Sequence, residues 1–206
     1  NKPYSVCEDF VTKDTELISA WRVLQLRQKA NHESSYLHYV NICKELGIDI
    51  VPTLDRMIVL DYIIANEDRH FNNFGLLRDA NTLEWIGAAP IFDSGTSLWY
   101  DTSARGISTY DIPCKPFKKK HSEQLRMVSS FDWLDISKLN GIEDEILNIL
   151  CEDNAVQYVE SERAKAIAAE VRKRLDTLEI IVSSHNSYDE SSNGDDVEEV
   201  NAASYD

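Results

Sequence analysis

Asp68, Asn73 and Asp93 are the residues whose types and spacing could do chemistry. The first two lie in Asn66-Glu67-Asp68-Arg69-His70-Phe71-Asn72-Asn73-Phe74-Gly75-Leu76-Leu77, and the third in Pro90-Ile91-Phe92-Asp93-Ser94-Gly95. An Asp is thus followed five residues later by an Asn, and then by an Asp-x-Gly at the end of an apolar run. One carboxylate can accept a hydroxyl proton, while an amide oxygen and a second carboxylate can hold the hard Mg²⁺ ions that bridge nucleotide phosphates. Such a set suits phosphoryl transfer. Asp68 alone would read as a helix-terminal cap, the common use of Asp at such positions. Asn73 is chosen over its neighbour Asn72 because it completes the five-residue interval.

Positioning three oxygen groups requires rigid elements on both sides of the loop. The segment from Pro52 to Ile64 predicts a helix whose stretch Met57–Ile64 is apolar on nearly every face, as expected of a helix buried through a domain. It delivers the chain into Asn66, so a buried helix precedes the polar loop. After the loop, Phe74–Leu77 and Leu83–Ile86 predict a small hairpin, and Ala88–Phe92 a further strand ending at Asp93. Upstream, a short strand is expected over Tyr4–Phe10. A helix over Thr15–Lys29 is expected with Leu17, Trp21 and Leu24 on one face, and another over Ser34–Leu46 with Leu37, Val40 and Leu46, stopped by Gly47. Downstream, residues 94–120 lose periodicity and read as a long functional loop. Short segments over 122–128, 136–139 and 142–150 follow. A long helix over 160–182 carries Ala164, Ile167, Ala168, Val171, Leu175 and Leu178 at helical spacing.

Composition narrows the class. The 206 residues are 43% hydrophobic with 7 Gly and 5 Pro, which predicts a helix-rich globular domain. The longest apolar run, Met57–Ala65, is nine residues and contains Asp61, short of the roughly 18 to 20 needed to cross a bilayer. Cys7, Cys43, Cys114 and Cys151 are widely spaced without a Cys-x-x-Cys, so they are expected as reduced thiols in a cytoplasmic protein. A net charge of -15 argues against an electrostatic footprint on nucleic acid or anionic membrane. Residues 185–206 hold seven of the carboxylates and no Lys or Arg, and predict a solvated tail. Lys115, Lys118, Lys119 and Lys120 form the one dense basic cluster, read either as a solvated loop or as a surface for phosphates or an acidic protein substrate.

Asp-x-x-x-x-Asn followed by Asp-x-Gly is similar to the catalytic loop and metal-binding motif of protein kinases. The order Asp68-Arg69-His70, with Asn73 and the apolar-Asp segment at Asp93, resembles the HipA-like serine/threonine kinases, the kinase half of bacterial toxin-antitoxin modules. The resemblance covers about residues 4–183; phosphoinositide lipid kinases share a similar motif. It implies a mainly α (α+β) fold, the helical C-lobe of a protein-kinase-like fold, with a small β-hairpin element carrying the metal ligands. Residues 1–10 would be the remnant of a hinge strand, 11–184 the lobe and 185–206 the tail. The reaction implied is transfer of the ATP γ-phosphate to a protein Ser or Thr, with Asp68 as catalytic base and Asn73 and Asp93 holding Mg²⁺. Glu8, Asp9 and Phe10 match the hinge whose backbone pairs with adenine. His70 would meet the nucleotide phosphates or bond its own loop, and Arg69 would fix the loop structurally. The family also implies a DNA-binding antitoxin partner.

Seven residues precede Glu8, with no Gly-rich motif or strand Lys among them. The sequence is therefore expected to act as a C-lobe that binds nucleotide weakly without an N-terminal lobe. A non-catalytic interaction module is the rival class.

Overall fold

The computed structural model describes residues 7–107, 112–152, 155 and 158–192, with backbone alone for 186–192. Helix α3, Val51–Ile63, is the axis of the molecule. Pro52 fits its first turn, where a missing N–H costs nothing. Its buried apolar residues, Leu54, Met57, Ile58, Val59, Tyr62 and Ile63, divide between two hydrophobic clusters, and Asp55 and Asp61 are buried beside them. One contains Leu54 and Met57 with α1 (Ala20–Leu24), α2 (Ser35–Glu45) and Leu76 of the sheet. The other contains Ile58, Val59 and Tyr62 with Leu125 of α4 (His121–Leu125) and the long helix α6 (Ser161–Ser192). Helix α5, Ile142–Cys151, lies along α6.

The apolar spacing read in α6 is the face it buries: Ala164, Ile167, Ala168, Val171, Leu175 and Leu178 are all in the core. Helix α2 meets expectation in part: Val40 and Leu46 pack against the core and Leu37 does not. Tyr39, Ile42 and Cys43 are buried whereas Leu37 is 52% exposed. The face through Tyr39, Ile42, Cys43 and Leu46 follows i, i+3, i+4, i+7, and it outcompetes the weaker stripe through Leu37. Ser34 caps α2 by accepting from Leu37 N at 3.2 Å, and Gly47 takes the left-handed conformation just past its end.

Four further expectations are corrected. Thr15–Ser19 is strand β1 and α1 occupies only Ala20–Leu24, so no helix runs over 15–29. The antiparallel sheet has three strands, β1, β2 (Gly75–Asp79) and β3 (Trp85–Ala88), in that order. Thr15 pairs with Asp79 and Ser19 with Gly75, which makes β1 the neighbour of the strand leaving the Asp68–Asn73 loop. A long-range pairing partner overrides local helical periodicity here, because an unpaired strand edge would leave backbone groups unsatisfied. The backbone after β3 is irregular, so Ala88–Phe92 is not a separate strand. Cys7–Phe10 are irregular too, while residues 4–6 of that expected strand lie outside the described residues. Lastly, α6 continues to Ser192, past the expected start of the tail at 185; residues 193–206 lie outside the described residues.

Candidate active site

Arg69 is the hub of the loop that follows α3, and it is fully buried. Its Nε and one terminal nitrogen donate to the two oxygens of Asp61, each at 2.9 Å. That is the bidentate fork–fork pairing for which a guanidinium is shaped. The same arginine donates to the Asn73 carbonyl at 2.9 Å, to the Phe92 carbonyl, and to Ser94 Oγ at 3.1 Å. One nitrogen therefore bonds both the residue expected as a metal ligand and the residue immediately before the other, Asp93. Asn66 extends the network. Its amide donates to Asp61 Oδ1 at 2.9 Å, and its oxygen accepts from Thr96 Oγ1 at 2.9 Å and Asp68 N at 3.3 Å.

The loop is braced from behind by β1 and α1. Ala20 N donates to the Phe74 carbonyl and Trp21 N to the Phe71 carbonyl, both at 2.8 Å, and Ser19 Oγ donates to Asn72 Oδ1 at 3.2 Å. The first N–H groups of a helix need partners outside it, and here the loop after α3 and its exit supply them.

Asp68 is half-exposed. Its carbonyl accepts from Asn73 Nδ2 at 3.1 Å and His70 N at 2.8 Å, and its carboxylate pairs with Lys115 at 2.5 Å. The hydrogen bond and charge of that ammonium, with a lesser effect from His70, hold the carboxyl below the ordinary aspartate range. His70 Nδ1 accepts from Asn72 N at 3.3 Å, and its Nε2 lies 3.9 Å from Asp68 Oδ2. The structure thus gives His70 a backbone bond within its own loop.

Asn73 is buried and turns its nitrogen to the Asp68 carbonyl, which leaves its oxygen as the end able to serve as a ligand. Asp93 is exposed and adopts φ 56°, a left-handed conformation that Asp tolerates better than most residues. Ala65, Leu98 and Trp99 share positive φ values of 52–54°. Backbone of this kind persists only where its surroundings over-determine it, and it gathers at functional loops. Both ligand candidates lie just outside the strands, Asn73 two residues before β2 and Asp93 five after β3, rather than on a hairpin. Among the described residues no three His, Cys, Asp or Glu side chains gather as a metal cage. The Asn and Asp oxygens fit Mg²⁺, which is ordinarily held by one or two protein oxygens together with phosphates and water.

The residues expected on the adenine side lie in the irregular chain that precedes β1. Glu8 and Asp9 are exposed, with Asp9 Oδ1 accepting from Val11 N at 2.9 Å. Phe10 packs its ring 5.4 Å from that of Phe92, next to Asp93. The residue that the motif reading passed over is Lys115, grouped there with a basic cluster. The available signal was weak: a lysine 47 positions beyond Asp68 with no fixed interval between them.

A profile of the HipA-like C-terminal domain matches residues 9–178. The chain belongs to the HipA-like C-terminal domain family. This HipA-like domain is 30% identical over 106 residues to the serine/threonine-protein kinase CtkA of Helicobacter pylori, a match covering 48% of the chain and 32% of that protein. The aligned segment thus spans about a third of the curated relative's length. The crystal structure of a Helicobacter pylori proinflammatory kinase CtkA superposes with a TM-score of 0.53 at 18% identity, covering 90% of this chain and 76% of that one. The likeness shows a shared fold, and together with the family match it supports a kinase-related role for the HipA-like domain. No helix among the described residues is long and apolar enough to cross a membrane.

Proposed function

We propose that this domain is the C-terminal catalytic lobe of a serine/threonine protein kinase, acting with a lobe that covers the nucleotide phosphates. The observation that carries the reading is the Arg69 hub, which ties the Asp68–Asn73 loop and the Phe92–Ser94 segment to one buried guanidinium. That tie is what a phosphoryl-transfer site requires, since its catalysis is chiefly positioning and electrostatic stabilisation. Asp68 orients the acceptor hydroxyl and takes its proton. Asn73 and Asp93 supply the oxygens for Mg²⁺, whose charge, when bound, offsets that of the nucleotide phosphates. Phe10 and its neighbours border the site on the side proposed for adenine. The acceptor is a protein Ser or Thr, and a DNA-binding antitoxin is the partner that the family suggests.

The test is calorimetric titration of Mg·ATP into the full-length native protein with Asp93→Ala beside it. Binding is expected, and Asp93→Ala should weaken it by at least about tenfold, as losses around metal sites do. No binding by the wild type would favour an interaction module instead. A panel of protein and phosphoinositide acceptors then separates a protein kinase from a lipid kinase.

A further inference from the structure

One lysine of the basic cluster leaves its neighbours and reaches the catalytic loop. Lys115 Nζ donates to Asp68 Oδ1 at 2.5 Å. Nothing in Asp68's own loop fixes that carboxylate comparably, because His70 Nε2 stands 3.9 Å from Oδ2, beyond hydrogen-bond reach. The bonds from Asn73 and His70 fix the Asp68 backbone and leave its side-chain rotation open.

An exposed Lys–Asp pair ordinarily contributes little, since ordering a lysine side chain offsets most of the attraction. This pair differs in the framework behind the lysine. Gln124, fully buried on α4, donates to the Lys115 carbonyl at 3.0 Å and accepts from Phe117 N at 3.0 Å and Lys118 N at 3.2 Å. Cys114 N closes the turn onto the Lys119 carbonyl at 3.0 Å. Phe117 packs edge-on against Phe71 and Phe74, at 5.8 and 6.1 Å between ring centroids. Those two rings belong to the catalytic loop and its exit. The backbone of Lys115 is thus fixed relative to Asp68 twice, through α4 and through the loop itself.

We propose that Lys115 is a positioning residue of the phosphoryl-transfer site, pinning Asp68 by Oδ1 so that Oδ2 is presented to the acceptor hydroxyl; this rests on the kinase reading above. In the step it serves, the acceptor oxygen bonds to the γ-phosphorus as the bond from that phosphorus to the β,γ-bridging oxygen breaks. ADP leaves with the electron pair, and the hydroxyl proton passes to Asp68. Lys115 keeps its own proton throughout. Its contribution is to fix the carboxylate geometry, where a displacement of about 1 Å costs on the order of 10²-fold in rate.

The test follows phosphate transfer from γ-labelled ATP to dephosphorylated casein, with Mg·ATP binding measured in parallel, using the full-length native protein. The variants are Lys115→Met, Lys115→Arg, Asp68→Asn and the double variant of Lys115→Met with Asp68→Asn. Lys115→Met should lower kcat by about 10- to 100-fold, with the KM for ATP and the melting temperature little changed. Lys115→Arg should recover part of the loss. Adding Lys115→Met to Asp68→Asn should cost nothing more, because groups that act as a unit are non-additive. An unchanged kcat in Lys115→Met, or additive losses in the double variant, would overturn the positioning role and leave the kinase reading standing. A wild type that binds no Mg·ATP would overturn the kinase reading and the positioning role together.

Discussion

At the scale of single residues, the site depends on one buried ion pair more than on its exposed acids. Arg69 and Asp61 are both almost wholly excluded from solvent, and every donor nitrogen of the guanidinium has a partner. Removing one partner leaves a buried charge uncompensated. Arg69→Leu is therefore expected to cost about 3–5 kcal/mol of folding stability, read from urea unfolding. Asp68→Asn keeps the shape, loses the proton acceptor and breaks an exposed pair, so it should leave stability within about 1 kcal/mol of wild type and abolish most turnover. A stability loss in Asp68→Asn equal to that in Arg69→Leu would remove this division of labour. A second buried carboxylate, Asp55, has a different use: it accepts from Ser129 N at 3.1 Å and Ser129 Oγ at 2.6 Å, which fastens the chain after α4 to α3.

At the scale of elements, β1 holds the Asp68–Asn73 loop in place by lying against β2. At Gly75 a Cβ would run into the Ile18 carbonyl oxygen of β1. The obstacle is backbone, which cannot rotate aside as a side chain can. Gly75→Ala should cost about 1–3 kcal/mol and speed amide exchange along Leu17–Ser19. Unchanged exchange there would show that β1 does not brace the loop. On the far side of the site, Arg163 of α6 donates to the Trp99 carbonyl at 2.7 Å and the Thr102 carbonyl at 2.9 Å, anchoring the segment after Asp93 to the helix that closes the domain.

At the scale of the molecule, α3 joins two hydrophobic clusters, and His121 reports on the junction of α3, α4 and α6. It is buried against the Tyr62 ring, and its Nε2 has no hydrogen-bond partner. Burial first, and the nearby Arg174 guanidinium second, push its pKa down to about 3. The folded state stays neutral there while the unfolded chain takes up a proton below about pH 6.5. Stability should thus fall as pH drops from the ordinary histidine range toward about 3. Melting temperatures compared at about pH 7 and about pH 5.5, above most carboxylate titrations, isolate the effect. His121→Gln should shrink the difference, and an equal difference in both proteins would locate the pH sensitivity elsewhere.

The sequence by itself determined the family and the core helices. The Asp68, Asn73 and Asp93 intervals, the all-round apolarity of α3 and the buried stripe of α6 are local patterns, readable because each is set by spacing along a short stretch of chain. Tertiary structure alone decided that Thr15–Ser19 is a strand, that α2 buries Tyr39 rather than Leu37, and that Lys115 reaches Asp68. Each of these depends on a partner distant in sequence: Gly75–Asp79 for β1, the cluster formed with α1, α3 and the sheet for α2, and the Gln124 and Phe71 attachments for Lys115. Periodicity records what one segment buries, and pairing across tens of residues leaves no mark in it.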